Sequence, residues 1–576
     1  MAKYTPEELN NFSKEQLISL YENLQDQMEK LNLNMEAVLE QIRLANQQRF
    51  GRKTEKLDQI TGQLYLFNEV EEAADLRVGE PSAEEVITSR KKKQKGKREE
   101  DVKDLPRETH EYKLTDEELD AFYGRNCWRR MPPDTYTTVR CVPAVYTAED
   151  HIIDVAVGTD GDHQDEFLRA DHPKRLLKRS VATPSLAAAI INGKYTNALP
   201  LYRIEQELQT SGLNISRQTM ANWMMILSQK YLGALWERLK EEELKGDVIQ
   251  ADETTCQVIN DNDPSDPEDK KSSAGHKNYM WVYRTGQFNT EHPIVLFDYQ
   301  RGRHHKYPEE FLRGYEGYLE TDALNQYYML EKTIPGLINA NCWVHARRDF
   351  AEALKALDKN AKAAASQTIA GQALAKIAKM YDIENDLAKL TPEERLRKRN
   401  DEIKPLVDDF FAWLKRLMTS GTVLPKGETA RGINYCLDHE SRLRVFLENG
   451  NVPMDNSASE RAIRPFTIGR KNWVLINSVR GARASAVIYS LVETAKLNGL
   501  NVYRYMEYLL TELPKLADDN DKGNIDTEKL DPLLPWSDQL PAQCQKNAAD
   551  EKSAAFSTPR RRIWCLRINY WRSHNI

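Results

Sequence analysis

Three acidic residues far apart in the chain, Asp252, Asp322 and Glu460, occupy positions from which carboxylates could act together. Asp252 lies in the strand-patterned run DVIQADETTCQVI, and Asp322 ends the short run GYLETDA. If those runs are neighbouring strands at the centre of one sheet, the two carboxylates face one another. Glu460 follows the candidate helix caps Asn456 and Ser457 in DNSASERAIRP, so a helix packed beside the strands would bring up a third acid. Phosphodiester cleavage needs such a set. The attacking oxygen must be made nucleophilic, the leaving oxygen stabilised and the charge at phosphorus offset, tasks that two divalent cations about 3.5 to 4 Å apart can share. Mg2+, or Mn2+ in its place, is hard, prefers oxygen and keeps sites for phosphate oxygens. On this reading Asp252 bridges two ions, and Asp322 and Glu460 complete one each. The chain has 88 acidic residues, most of which any fold leaves solvated, so the reading rests on the three being placed together.

Cations surround the third acid. Arg461, Arg464, Arg470 and Lys471 follow Glu460, with Arg464 one helical turn beyond it on the same face, suited to DNA phosphates. In CWVHARRDF, Arg347 and Arg348 are further candidates for phosphate contacts. Cys342 and His345 of the same run have CxxH spacing but no second pair, which favours a structural or DNA-proximal role over zinc. The seven cysteines are scattered and form no CxxC pair, so reduced thiols are expected.

The elements that must position these residues read as three strands (DVIQADETTCQVI, NYMWVYRTG, PIVLFDYQ), a helix at YPEEFLRGY, the strand GYLETDA, a helix at ALNQYYMLEK and a strand at LINANCWV. This β-β-β-α-β-α-β order predicts a ribonuclease H-like core within a multidomain α/β chain. Upstream, residues 181–245 read as a helix-turn-helix in which Gly212 closes one helix and Ser216 caps the next. Its second helix would offer Arg217, Gln218 and Asn222 to a DNA groove while Ile215, Met220, Trp223 and Leu227 pack inward. Residues 108–180 suggest a small strand-rich module, and 57–107 a charged linker. The N-terminal 1–56 reads as a coiled-coil helix, with Leu17, Leu24, Leu31 and Val38 at one heptad position and Tyr21, Met28, Met35 and Ile42 at the other. It ends in a basic stretch where Arg52 and Lys53 could meet phosphates. The formal net charge of −7 argues against a chain coated in nucleic acid and leaves binding to such local patches. With no apolar run of membrane-spanning length and no signal peptide, a soluble, cytoplasmic protein is expected.

These words, in this order, resemble the insertion sequence 66 family of transposases. The resemblance is carried by QIRLANQQRFGRKTEK, KYTNALPLYRIEQELQTSGLNISRQTMANWM, DETTCQV, TDALNQYY, CWVHARRDF, NSASERAIRPFTIGRKNW, YSLVETAKLNGLNVYRY and LLPW, covering nearly the whole chain to residue 536. It implies a DDE triad at Asp252, Asp322 and Glu460, and hence a core in two parts, 246–345 and 450–515, split by a helical insertion over 346–449 and followed by a tail, 516–576. It implies an enzyme that hydrolyses the ends of its element and joins the 3′-hydroxyls to target DNA, acting on double-stranded DNA; the coiled coil would pair protomers into a homo-oligomer, and whether accessory proteins of the same element are further partners is left open by the sequence. The family's zinc module should lie upstream, but only Cys127 and Cys141 remain there, unpaired, so zinc is not expected. Two other readings fit parts of the chain: a noncatalytic DNA-binding relative, and a ribonuclease H-like nuclease acting on other nucleic acids.

Overall fold

The computed structural model describes residues 145–157, 167–170, 174–262, 276–355, 366–421, 426–517 and 525–546, with isolated positions besides (12–14, 116, 117, 121, 125 and 423). The coiled coil, the charged linker, Arg52, Lys53, Cys127, Cys141 and the last thirty or so residues lie outside them. A hairpin of β1 (Val155–Val157) and β2 (Phe167–Arg169) is what the described residues show of the strand-rich region. Four helices follow: α1 (Pro184–Ile191), α2 (Leu201–Thr210), α3 (Arg217–Leu227) and α4 (Gly233–Glu243). Between α2 and α3 the turn is made as the sequence suggests. Gly212 takes a positive φ of 83°, and the Ser216 hydroxyl accepts the Thr219 N–H at 3.2 Å. Ile215, Met220, Trp223 and Leu227 are buried.

The central sheet comprises β3 (Val248–Cys256), β5 (Asn278–Thr285), β6 (Val295–Gln300), β7 (Gly317–Thr321) and β8 (Leu337–Asn341), with the short β4 (Val258–Asn260) outside it. Helices α5 (Lys306–Phe311) and α6 (Asn325–Thr333) connect β6 to β7 and β7 to β8, so the expected order of elements is present. The strands lie side by side as β6-β5-β3-β7-β8, antiparallel among the first three and parallel thereafter. Parallel pairing of β7 with β8 follows from the helical crossover through α6. Trp281, Tyr283 and Phe297 are fully buried, as befits strands covered on both faces.

After β8 come α7 (Trp343–Lys355), α8 (Ile369–Leu387), α9 (Pro392–Lys398), α10 (Lys404–Ser420), α11 (Glu428–Asp438) and the short α12 (Glu440–Leu443). These helices build a core of their own around Met380, Phe410, Phe411 and Phe446, joined to the sheet through Trp343, Ala340 and Val248. Trp343 donates Nε1–H to Leu443 O at 2.8 Å. The chain then returns to the sheet with α13 (Ser457–Trp473), β9 (Ile476–Ser478), α14 (Val479–Leu497) and α15 (Val502–Leu516). The helices α1 to α4 share one buried cluster with the sheet and with α14 and α15.

The outer strand β6 would expose a row of backbone groups on its unpaired side. Helix α14 covers its first half, and Trp236 of α4 donates Nε1–H to Phe297 O at 3.2 Å. Thr494 Oγ1 accepts from Val295 N and donates to Val295 O, both at 3.0 Å, and Ser490 Oγ accepts from Phe297 N at 2.7 Å.

Candidate active site

Asp252 sits in the middle of β3, paired across to Val282 of β5 and two residues beyond the Gln250 to Glu320 pairing with β7. Its Oδ1 accepts the Glu253 N–H at 2.8 Å. Asp322 is the first residue after β7, which places it beside Asp252 on the neighbouring strand. Glu460 is in the first turn of α13, and the start of that helix is tied to β3 by side-chain amides. Asn456 donates Nδ2–H to Ala251 O at 2.7 Å, and Gln250 donates to Asp455 O at 3.2 Å. The residues before Glu460 are therefore clamped to the strand that carries Asp252.

Burial raises all three carboxyls above the usual range. For Asp252, burial comes first, and the charges of Glu253, Asp322 and Glu460 add to it. Asp322 is pushed up to about 7 by burial and by Glu253, against Arg303 and Arg348. Glu460 is raised by burial against the pull of Arg348, and Asp455 adds to the rise while Arg461 and Arg464 oppose it. Arg348 thus acts on both Asp322 and Glu460. Asp322 Oδ1 is buried with no hydrogen-bond partner. A buried carboxylate oxygen in that position is stabilised by a cation. Among the described residues, however, no group of three His, Cys, Asp or Glu side chains is placed to hold a metal ion.

The other residues singled out from the sequence divide into four groups. Arg347, Arg348, Arg461, Arg464 and Lys471 are exposed on α7 and α13. Arg470 is directed inward, donating to Thr254 Oγ1 of β3 at 3.2 Å. Arg217, Gln218 and Asn222 are exposed together on α3, with Arg217 over the Tyr202 ring at 5.7 Å. Cys342 and His345 open α7 without pairing as ligands. The Cys342 sulfur accepts the Asn456 N–H at 3.2 Å, and His345 is pushed down to about 4 by burial and Arg348, so its imidazole is neutral.

Sequence patterns did not point to Glu253, Arg303, Gln326 or Tyr327. Glu253 follows Asp252, and its side chain is 1% exposed. It accepts from Arg303 Nε and lies 2.5 Å from Arg303 Nη2, and it also accepts from the Tyr327 hydroxyl and, at 3.5 Å, from Gln326. The words DETT and NQYY contain three of these residues, but nothing in their spacing says that they meet.

Two family models cover most of the region described above. A family model described as "Transposase IS66 family" matches residues 179–484, which contain all three acids, and "IS66 C-terminal element" matches 490–536. The chain belongs to the IS66 family of transposases. A third model, "Transposase C of IS166 homeodomain", matches 38–109. That segment lies outside the described residues. Similar curated proteins include two from Sinorhizobium fredii (strain NBRC 101917 / NGR234). Uncharacterized protein y4qI is 28% identical over 65% of this chain, and uncharacterized protein y4hP is 27% identical over 63%. The chain spans 66% and 64% of their lengths. Among solved structures, the Drosophila P element transposase strand transfer complex matches 54% of this chain and 93% of its own, at 13% identity and a TM-score of 0.34. Among the described residues no helix is long and apolar enough to cross a membrane.

Proposed function

We propose that the chain is a DDE transposase on a ribonuclease H-like core, which binds the terminal repeats of its element, hydrolyses the phosphodiester at each end and joins the 3′-hydroxyls to target DNA. The observation that carries this is the convergence of Asp252, Asp322 and Glu460 from two adjacent strands and a clamped helix, each acid raised by burial. The sheet order β6-β5-β3-β7-β8 supports the core assignment.

Asp252, Asp322 and Glu460 are the residues that would hold Mg2+ or Mn2+ ions. Such ions, when bound, supply the activation of the attacking oxygen and the charge compensation at phosphorus. The chain's own residues do the rest. Arg348 holds the carboxylates of Asp322 and Glu460 toward their charged forms, and Arg347, Arg461 and Arg464 line the approach with charge for the DNA backbone. Water is the nucleophile in the first step and the 3′-hydroxyl in the second, so no covalent enzyme intermediate is needed. Helix α3 and the homeodomain-like segment would read the ends in a bacterial cytoplasm, with protomers paired through the coiled coil and with accessory proteins of the same element.

The test uses purified protein, Mg2+ or Mn2+, and DNA bearing the inverted repeats that flank the gene. Cleavage at the repeat ends is expected, and loss of cleavage in Asp252→Asn. Cleavage that survives Asp252→Asn overturns the triad, and a chain that binds the ends but cuts none with any divalent metal or helper protein is a noncatalytic relative.

A further inference from the structure

The fourth carboxylate at the site, Glu253, is not available as a ligand in the way the other three are. Its side chain is 1% exposed, and both oxygens are occupied: Oε1 by the Arg303 guanidinium and Oε2 by the Tyr327 hydroxyl. The Arg303 side chain is 41% exposed. Nε and Nη2 both address Glu253 Oε1, so the Nη1 edge is the one Glu253 does not use. The Tyr279 ring lies 5.8 Å from the guanidinium. Beneath, Trp281 donates its Nε1–H to Gly302 O at 3.4 Å, fixing the backbone just before Arg303, and Trp281 is itself the cross-strand partner of Glu253. Arg303 acts on Asp322, and Glu253 on both Asp252 and Asp322. A planar guanidinium is thereby fixed by a buried anion, a phenol and a tied loop at the open rim of the carboxylate cluster.

A surface arginine whose role is a salt bridge gains little from such anchoring, because an exposed pair contributes on the order of 1 kcal/mol or less. Burying Glu253 to hold Arg303 makes sense for a guanidinium that must meet a ligand in one orientation. Negative charge close to Asp252 and Asp322 repels a phosphate, and a fixed cation beside them offsets that repulsion where the DNA strand enters. We propose that Arg303 is a phosphate-binding residue, its outer N–H edge taking a non-bridging oxygen of the DNA backbone next to the cleaved bond, with Glu253 and Tyr327 as its positioning residues. This rests on the transposase reading above.

The experiment pairs protein variants with DNA in which single phosphates are replaced, one at a time, by neutral methylphosphonates along the cleaved strand of the element end. For the wild type, one position beside the cleaved bond should lower cleavage about 10- to 100-fold, as expected for loss of a hydrogen bond to a charged group. Arg303→Gln should lose a similar factor on unmodified DNA and nothing more at that position, since the two changes remove one contact. Arg303→Lys should recover part of the loss. Without divalent metal, the dependence of DNA binding on salt should fall by about one counterion in Arg303→Gln. If Arg303→Gln fails to fold around the unpaired Glu253, the double variant Glu253→Gln with Arg303→Gln carries the same comparison. Losses that simply multiply at every methylphosphonate position, with an unchanged salt slope, overturn the proposal while leaving the transposase reading intact. A wild type that cuts no element end overturns both.

Discussion

Ionising Asp322 in the folded chain is costly. Burial and the charge of Glu253 hold its carboxyl at about 7, whereas an unfolded aspartate ionises at about 3.9. The folded chain therefore binds more protons across that interval, so the stability from this group is full below about pH 4 and lost as the pH rises through about 7. Asp322→Asn should melt higher than the wild type at pH 8 in EDTA, by about 1–3 kcal/mol, with the gap closing toward pH 5, and should cut no DNA. Equal stability at pH 8 would mean that the carboxyl is not strained. Millimolar Mg2+ or Mn2+ at pH 8 should raise the melting temperature of the wild type and leave Asp252→Asn unmoved, as scanning calorimetry can show. At this scale the sequence pointed to Asp252 within one strand-patterned run and Asp322 at the end of another, and the structure has Asp252 in the middle of β3 and Asp322 just after β7. It was silent on the Glu253 and Arg303 pair, whose partners are fifty residues apart and leave no periodic trace. It also suggested Arg470 for phosphate, whereas packing turns that side chain onto Thr254.

Helix α13 is positioned from its start. Asn456 and Gln250 fasten that end to β3, and Gly469, near the other end, lets Tyr489 of α14 approach so closely that a Cβ there would lie 2.5 Å from the phenol oxygen. Asn456→Ala should remove the tie to Ala251, destabilising the fold by about 1–2 kcal/mol. Its larger effect should be on turnover, lower by about tenfold or more at an unchanged affinity for DNA, because Glu460 shifts relative to Asp252. Single-turnover cleavage and filter binding on one preparation separate the two, and a loss confined to affinity would count against this role. Periodicity, Gly212 and Ser216 were enough to place α2 and α3, and strand and helix patterns were enough for the order of elements along the chain, though not for the full order of strands in the sheet. The pairing of β4 with β9 was not visible, since three-residue strands more than two hundred residues apart carry no pattern of their own.

On the scale of the molecule, two cores meet at Trp343. The helical one contains Arg399, fully buried, which donates to Glu384 at 2.9 and 2.6 Å and to three backbone carbonyls, Phe446, Asn449 and Val452. Arg399→Leu strands Glu384 and those carbonyls, and should cost about 3–5 kcal/mol in a urea melt. A loss under 1 kcal/mol, roughly what an exposed pair gives, would show that the network is not holding those helices together. That arginine was lost among the chain's many charges in the sequence, where only burial could single it out. The cover that α14 lays over β6 has a consequence for the fate of broken copies of the gene. Ser490 and Thr494 belong to the segment matched as the C-terminal element, so a copy interrupted just before it would leave the first three strands with a bare hydrogen-bonding rim. Such a remnant should pair with its own kind and precipitate, removing itself instead of persisting as a competitor for the element ends.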